Sequence, residues 1–149
     1  ADCVPVLLYD ARTGAVGAAH AGWRGTVAGV VRAALDAMQR HFATRPRDVR
    51  AWIGAAIGFD HFEVGEEVAR HFAARQGEQL LKKPGARPGK WYVDLKAANR
   101  LQLEEAGVPA AQIELAPWCT VTHNADFFSY RKEGGRTGRM LAVVGRRVF

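Results

Sequence analysis

Two short apolar runs near the start of the chain, joined by a turn, limit most strongly how this sequence can fold. The runs cover residues 4–9 and 15–19, and the turn between them is Ala11-Arg12-Thr13-Gly14. Short apolar runs joined by a glycine-containing turn are typical of a β-hairpin. We therefore predict an antiparallel pair of strands in which His20 lies opposite Pro5.

The predicted hairpin brings together one of the two cysteines of the chain and one of its five histidines. Side chains alternate between the two faces of a strand, so Cys3 and His20 should share a face with Pro5. As diagonal neighbours they should lie about 7–8 Å apart at the backbone, within reach of one ion or one substrate atom. Alternatively, Cys3 acts as a small buried hydrophobe and His20 caps a hydrogen-bond network.

The segment that follows His20 is rich in unusual residues for a simple connector. It reads Ala21-Gly22-Trp23-Arg24-Gly25 and leads into a helical apolar pattern over residues 26–42, with Thr26 as the expected N-cap. The positive end of this helix should point toward the cysteine and histidine, where it and Arg24 would favour a phosphate group. Alternatively, Arg24 pairs with a carboxylate and Trp23 fills the core.

The rest of the chain alternates between strand and helix patterns. We predict a loop over residues 77–90, helices over residues 62–76 and 95–106, and strands over residues 49–53, 91–94, 113–116 and 140–144. Because several strands are joined by hairpins, a mixed sheet is favoured over a doubly wound one. The sequence therefore predicts an α+β fold, a mixed β-sheet sandwich flanked by helices, with residues 1–149 forming a single domain.

Composition excludes several classes of protein. The hydrophobic content is 48% and the charged content 24%, which is ordinary for a globular domain. No apolar window is long enough to cross a bilayer, and no signal-peptide pattern is present. The net charge of +6 comes from scattered arginines with no nucleic-acid module, so neither a membrane nor a nucleic acid is expected as a partner. Two cysteines far apart in sequence fit a reducing cytoplasm.

The segment 119–139 supplies the remaining candidates. Its polar side chains beside Phe127 and Phe128 suit a planar ligand such as a purine, and they equally suit the edge of a core. Arg131 flanks a glycine-rich turn and is expected to be drawn to the site. The spacing of Cys119 and His123 imitates a metal-binding pair, but we expect no such role.

Several of these segments together resemble the YfiH-type family. This family is also called the multicopper polyphenol oxidase or laccase-domain family, and it includes purine nucleoside phosphorylases. The resemblance rests on ADCVP at residues 1–5, AHAGWRG at 19–25, IGAAIG at 53–58 with EVG at 63–65, and CT at 119–120 with FFSYR at 127–131 and TGR at 137–139. It implies an α/β sandwich of mixed sheets and helices, of which this chain resembles the C-terminal portion with the N-terminal part missing.

The resemblance also implies a metal site. In the family, one cysteine and two histidines hold a zinc ion, and Cys3 and His20 occupy two of those positions. The third ligand, a histidine in an earlier segment, has no counterpart here. The resemblance thus gives Cys3 and His20 as metal ligands. From the residues themselves, we predict that Cys3, His20 and Arg24 are catalytic and that Arg131 and Asp2 bind ligand. Asp2 is alternatively a turn residue.

The implied activity is that of a zinc-dependent enzyme acting on purine nucleosides. Its reactions would be phosphorolysis of adenosine, inosine or methylthioadenosine and deamination of adenosine, with the nucleoside and phosphate as partners. One alternative is a copper-dependent polyphenol oxidase, although five histidines with only His20 well placed cannot build a multinuclear copper centre. Others are a thiol–imidazole hydrolase and an inactive truncated module. We expect a monomeric full-length parent that binds zinc much more tightly than this chain.

Overall fold

The hairpin is built as the turn chemistry predicts. Strands β1 (Val4–Asp10) and β2 (Val16–Ala21) pair antiparallel, with Pro5 opposite His20. The backbone N–H of Asp10 donates to the carbonyl of Ala15 at 2.9 Å, and that of Gly14 donates to the carbonyl of Asp10 at 2.8 Å. Gly14 has φ +73°, a left-handed conformation that favours glycine in a tight turn. The predicted register is confirmed.

The computed structural model of the chain describes residues 1–82 and 87–146. Beyond the hairpin, its helices and strands are α1 (Trp23–Ala28), α2 (Val30–Phe42), β3 (Val49–Ile53), β4 (Glu63–Gly65), α3 (Glu66–Gln76), β5 (Leu81–Lys82), β6 (Lys90–Val93), α4 (Leu95–Glu105) and β7 (Ile113–Leu115). Short 3₁₀ turns precede β3, β5 and β7. No described helix is long and apolar enough to cross a bilayer.

These strands form two sheets among the described residues. The larger has the order β2-β1-β3-β7, in which β1 pairs antiparallel with both neighbours and β3 pairs parallel with β7. The smaller has the antiparallel order β4-β6-β5. The predicted α+β architecture with a mixed sheet is therefore confirmed.

The two faces of β1 differ sharply in burial. Val4, Val6 and Leu8 are fully buried and belong to a core cluster that includes Val31 and Leu35 of α2. Burying each such side chain contributes about 1.5–3 kcal/mol, so this face holds the sheet to the helices. The alternate residues from Cys3 to Tyr9 face the other way and are half-buried or exposed. This second face carries the candidate site.

The helix predicted over residues 26–42 is in fact two helices. Thr26 is not an N-cap, because its N–H already donates to the carbonyl of Gly22 at 2.8 Å inside α1. Its buried hydroxyl bonds the carbonyl of Ala21 and accepts from Asn99 of α4. Gly29, at φ +80°, then ends α1 and caps α2. The apolar spacing continues through this break, which is why the sequence pattern did not reveal it.

Three further predictions need correction. The helix predicted from residue 62 begins at Glu66, because residues 63–65 pair with β6. The loop predicted over residues 77–90 contains strand β5 and the start of β6, while its residues 83–86 lie outside the described part. The strand predicted over residues 140–144 has no regular structure, and Leu141 is 88% exposed. An apolar run becomes a strand only where a partner strand accepts its hydrogen bonds.

Candidate active site

Cys3 and His20 converge on one point, the backbone of Gly22. A Cβ atom placed on Gly22 would lie 3.0 Å from Cys3 Sγ and 3.9 Å from His20 Nε2. The thiol sulfur and the imidazole nitrogen are therefore no more than about 7 Å apart, and both border the small gap at Gly22. Glycine keeps this gap open, since any side chain here would crowd the sulfur. The structure thus brings the two predicted ligands together on one face of the sheet.

The two side chains differ in their environment. Cys3 is half-buried, and burial raises the pKa of its thiol, while the nearby positive charge of Arg139 opposes that shift. His20 is exposed on the edge strand β2. A thiol with a raised pKa is mostly protonated at neutral pH, so it becomes a strong ligand or nucleophile only when a cation displaces its proton.

An apolar cavity of about 440 Å³ opens beside Cys3 and His20. The uncovered face of β1 and β2 forms its floor, and a C-terminal segment crosses over it. Besides Cys3 and His20, its lining includes Pro5, Leu7, Trp52, Phe127, Met140 and Leu141. Aromatic and aliphatic walls of this kind accept a flat ring system.

A second cavity, of about 380 Å³, also borders this pair. Its lining also contains Cys3 and His20, but it adds the side chains of Asp2, Phe62, Tyr130, Arg131 and Arg139. The guanidinium groups of Arg131 and Arg139 make this second cavity basic. Cys3 and His20 therefore stand at the junction between an apolar cavity and a basic one.

Asp2 holds the wall of the basic cavity in place through hydrogen bonds. Its carboxylate accepts hydrogen bonds from the hydroxyls of Thr120 and Ser129, at 2.5 and 2.8 Å, and from the N–H of Arg131 at 2.8 Å. Asp2 is 9% exposed and has φ +70°, a left-handed conformation unusual for a residue other than glycine. Both carboxylate oxygens are thus engaged within the protein. The ligand-binding role predicted for Asp2 stays a prediction.

Arg131 lines the basic cavity while it holds a neighbouring loop. Its guanidinium donates to the carbonyls of His61 and Glu63, at 3.2 and 3.0 Å, and lies 5.8 Å from the ring centre of Phe62. These contacts turn two of its nitrogens toward the protein. The predicted approach of Arg131 to the site is seen, and its role toward a ligand remains a prediction.

Arg24 is placed differently from the other candidates. Its guanidinium carbon lies 4.4 Å from the ring centre of Trp23, and the side chain is exposed. Among the described residues that line the two cavities, Arg24 does not appear. Although α1 begins beside Cys3, it is only six residues long, so its dipole is a weak attraction for an anion. The catalytic role of Arg24 stays an untested prediction.

Cys119 and His123 do not form a metal-binding pair. The sulfur of Cys119 accepts from the N–H of Gly58 at 3.2 Å, whereas His123 Nδ1 lies 3.1 Å from the Cys119 carbonyl and 2.9 Å from the Thr122 hydroxyl. Burial would raise the pKa of the Cys119 thiol, but hydrogen bonds from the backbone at residues 58, 121 and 122 outweigh it and lower the pKa. The Cys119 sulfur is therefore hydrogen-bonded within the protein and is not part of the lining of either cavity beside Cys3.

The largest described cavity, of about 1040 Å³, lies at the other end of the uncovered sheet face. It is shallow, and its lining includes Tyr9, Arg12, Arg47, Arg50 and Glu114, without the cysteine or histidine of the candidate site. Size alone therefore does not identify the active site. The two smaller cavities contain the groups capable of chemistry.

Sequence reasoning missed three residues of the site. Trp52 lies opposite Leu7 in the sheet, so the alternation along β3 placed it on the cavity side. Tyr130 and Arg139 flank the glycine-rich turn at 134–135, but nothing in their spacing indicates that the turn folds back onto the hairpin. The long-range bonds of Asp2 bring this segment to Cys3.

The donor set for a metal is partial. Within residues 1–82 and 87–146, no group of three or more His, Cys, Asp or Glu side chains is arranged to hold a metal ion. Cys3 and His20 supply one thiolate and one imidazole, a combination that suits zinc. A site of the usual three protein ligands needs one more donor than the described residues bring together here.

Comparison with curated proteins gives relatives along nearly the whole chain. It is 47% identical over 146 residues to "Purine nucleoside phosphorylase" of Bacteroides thetaiotaomicron, covering 97% of this chain and 54% of the relative. It is 40% identical over 150 residues to "Adenosine deaminase RL5" from an unknown prokaryotic organism, covering 99% of this chain and 56% of the relative. The chain thus spans about half the length of the curated relatives it matches.

Solved structures agree with the fold. YlmD from Geobacillus stearothermophilus superposes with a TM-score of 0.91 at 40% identity, covering 99% of this chain and 55% of that one. The Bacillus licheniformis hypothetical protein YfiH superposes with a TM-score of 0.87 at 38% identity, covering 93% and 52%. The profile of the family described as multi-copper polyphenol oxidoreductase laccase matches residues 1–147. The chain therefore belongs to this laccase-like, YfiH-type family, as its sequence motifs indicated.

Proposed function

We propose that this chain carries the zinc-binding and substrate-binding part of an enzyme that acts on purine nucleosides. The observation that carries the proposal is that Cys3 Sγ and His20 Nε2 both lie beside Gly22 and line both an apolar cavity and a basic one. Relatives named purine nucleoside phosphorylase and adenosine deaminase support the same class of reaction. Phosphorolysis of adenosine, inosine or methylthioadenosine and deamination of adenosine are the specific reactions proposed.

The metal would be held by Cys3 and His20. The gap at Gly22 leaves room beside both donor atoms. When a cation binds there and displaces the proton of the half-buried Cys3 thiol, its positive charge offsets the negative charge of the thiolate. When bound, zinc supplies Lewis acidity toward an oxygen or nitrogen at the reacting centre. A third ligand, a histidine outside these 149 residues, completes this proposed site.

The chain's own residues divide the substrate between the two cavities. The apolar cavity accepts the purine between Trp52 and Phe127, and the basic cavity accepts phosphate. In phosphorolysis a phosphate oxygen forms a bond to ribose C1′ while the bond from C1′ to the base nitrogen breaks. The bonding electrons leave with the base, which takes up the proton of monohydrogen phosphate. Ribose would therefore lie at the junction, beside Cys3 and His20.

The central experiment replaces Cys3 by Ala in the protein that contains these residues. We expect zinc content measured by mass spectrometry and turnover of adenosine and inosine, with and without phosphate, both to fall by more than about a hundredfold. Cys119→Ala is the matched control, because its sulfur bonds Gly58 rather than facing either cavity, and it should keep both properties. Unchanged zinc and turnover in Cys3→Ala would refute the proposed site.

The same preparations test the alternative that the family's name suggests, a copper-dependent polyphenol oxidase. Copper in place of zinc, together with oxidation of phenols that depends on Cys3, would replace the nucleoside proposal. Comparing the 149-residue chain with a longer one then tests the effect of truncation. We propose that the shorter chain binds zinc weakly and turns over nucleosides poorly, because two ligands fall short of three. Cytoplasmic location and a monomeric parent also stay predictions.

A further inference from the structure

The basic cavity beside Cys3 holds an excess of positive charge. Arg131 and Arg139 both line it, and the carboxylate in its lining is that of Asp2. Both oxygens of that carboxylate already accept hydrogen bonds from the protein. An anion entering this cavity therefore meets two guanidinium groups and no carboxylate oxygen that lacks a hydrogen-bond donor.

The two arginines are not equivalent. Arg131 uses both terminal nitrogens of its guanidinium to hold the carbonyls of His61 and Glu63. Arg139 is exposed, and the hydrogen bonds that its guanidinium makes to described residues, with the carbonyls of Thr137 and Gly138, both come from Nη1. Its Nη2 and Nε therefore remain able to form the two parallel bonds that arginine makes with an oxyanion.

We propose that Arg139 binds the phosphate dianion used by this enzyme, while Arg131 positions the cavity wall. This assignment rests on the proposed function and deepens it by naming the residue that binds phosphate. The sequence alone pointed to Arg24 for phosphate, but in the structure the Arg24 guanidinium lies against the ring of Trp23. Phosphate on Arg139 would lie in a cavity that shares Cys3 and His20 with the apolar cavity. A phosphate there and a base in the apolar cavity would both adjoin the junction where ribose is proposed to lie.

The test measures binding of inorganic phosphate without any nucleoside, by calorimetry or by ³¹P line broadening, on the full protein. Arg139→Gln should weaken phosphate binding at least about tenfold, the loss expected for one charged two-point contact. Arg139→Lys should restore part of it, since it keeps the charge without the fork. Arg136→Gln is the matched control, an exposed arginine of the same turn outside the cavity lining, and should bind phosphate as the wild type does.

A kinetic arm separates this inference from the proposed function. Arg139→Gln should raise KM for phosphate in phosphorolysis at least about tenfold, a loss that added phosphate overcomes, whereas deamination of adenosine uses no phosphate and should not respond to added phosphate in either protein. Replacing inorganic phosphate by adenosine monophosphate tells whether the dianion is free or part of a nucleotide. Tighter binding of the nucleotide, lost in Arg139→Gln, would keep Arg139 as the anion site and assign it to the nucleotide phosphate.

Each result decides the matter. Equal phosphate affinity in wild type and Arg139→Gln, or no phosphate binding by the wild type at millimolar concentration, overturns the inference. Phosphate binding that depends on Arg139 in a protein that turns over no nucleoside refutes the proposed function and leaves the anion site standing. A rise in KM that also appears in Arg136→Gln shows a general effect of charge, which again overturns the assignment to Arg139.

Discussion

Two buried aspartates flank the first strand, and they make contacts of opposite range. Asp10, at the turn end, accepts hydrogen bonds from the N–H groups of Arg12 and Thr13 and from the Thr13 hydroxyl, all within three residues. Asp2, at the site end, accepts from Thr120, Ser129 and Arg131, which are 118 to 129 positions away. One carboxylate closes a local turn, and the other joins the two ends of the described chain.

This difference explains how the site is assembled. The turn end requires only its own residues, so it forms wherever the hairpin forms. The site end requires the C-terminal segment to return to the hairpin, because Tyr130, Arg131 and Arg139 reach the basic cavity by that route. The site therefore exists only in the complete tertiary fold, and Asp2 is the contact most directly responsible for it.

Replacing Asp2 should produce the largest effect. In Asp2→Asn, the amide oxygen can keep the bond from the N–H of Arg131 only if its N–H₂ faces the Thr120 and Ser129 hydroxyls, which must then accept instead of donating. We expect a loss of about 2–4 kcal/mol in the free energy of unfolding, because three hydrogen bonds to a charged carboxylate are lost or rearranged and such bonds contribute about 1.5–3 kcal/mol each. Urea denaturation measures this loss. Hydrogen exchange at Ser129 and Arg131 should accelerate.

The matched control for this change is Asp126→Asn, an exposed aspartate in the same C-terminal segment. It should leave both stability and exchange unchanged within about 0.5 kcal/mol. If Asp2→Asn behaves like this control, the long-range contacts do not hold the segment, and the proposed contrast between the two aspartates is wrong.

Asp10 should have a smaller effect that depends on pH. Burial alone would raise the pKa of this carboxyl, but hydrogen bonds from Thr13 and Arg12 lower it from 3.8 to about 2. A lowered pKa stabilises the fold above pH 4, and this contribution is lost as pH falls toward 2. The shift corresponds to about 2 kcal/mol. The stability difference between wild type and Asp10→Asn, measured by urea denaturation, should shrink between pH 4 and pH 2.

A difference that stays constant over that pH range would show that the Asp10 charge does not matter to the turn. Phosphate binding by Asp10→Asn offers a second comparison with Asp2. It should be unchanged in the folded variant, because Asp10 lies at the far end of the strand from the basic cavity and is not part of its lining.

Gly22→Ala should have the smallest effect on stability and a selective effect on the site. The backbone at Gly22 has φ −68° and ψ 170°, which alanine adopts without strain. Its Cβ would lie 3.0 Å from Cys3 Sγ, so the sulfur must shift. We expect a stability change under about 1 kcal/mol and zinc affinity at least about tenfold weaker, measured by competition with a chelator. Gly145→Ala, where a Cβ meets nothing within 4 Å, is the control.

Zinc affinity in Gly22→Ala equal to that of the control would mean that the gap between Cys3 and His20 is not where the ion lies. Combined with the Asp2 variant, this result separates two ways of damaging the site. One crowds the donor atoms directly, and the other releases the wall of the basic cavity.

The sequence by itself determined the parts of this protein that depend on neighbouring residues. The turn residues and the apolar alternation established the hairpin, and with it the register that places His20 opposite Pro5. Helix α4 and strand β3 were also predicted nearly to their ends, because apolar periodicity and local capping define them. The motifs at residues 1–5, 19–25, 53–65 and 119–139 were sufficient to identify the family.

Only the tertiary structure decided the rest. The break at Gly29 was invisible, because the same apolar face continues across it, and residues 140–144 lacked the partner strand that their composition suggested. The choice among the arginines depended on which guanidinium groups were already occupied by carbonyls far away in sequence. Local sequence patterns do not reveal such distant partners, because a hydrogen bond across 129 positions produces no characteristic spacing in the sequence. The site is therefore built largely from long-range contacts that form only when the chain folds.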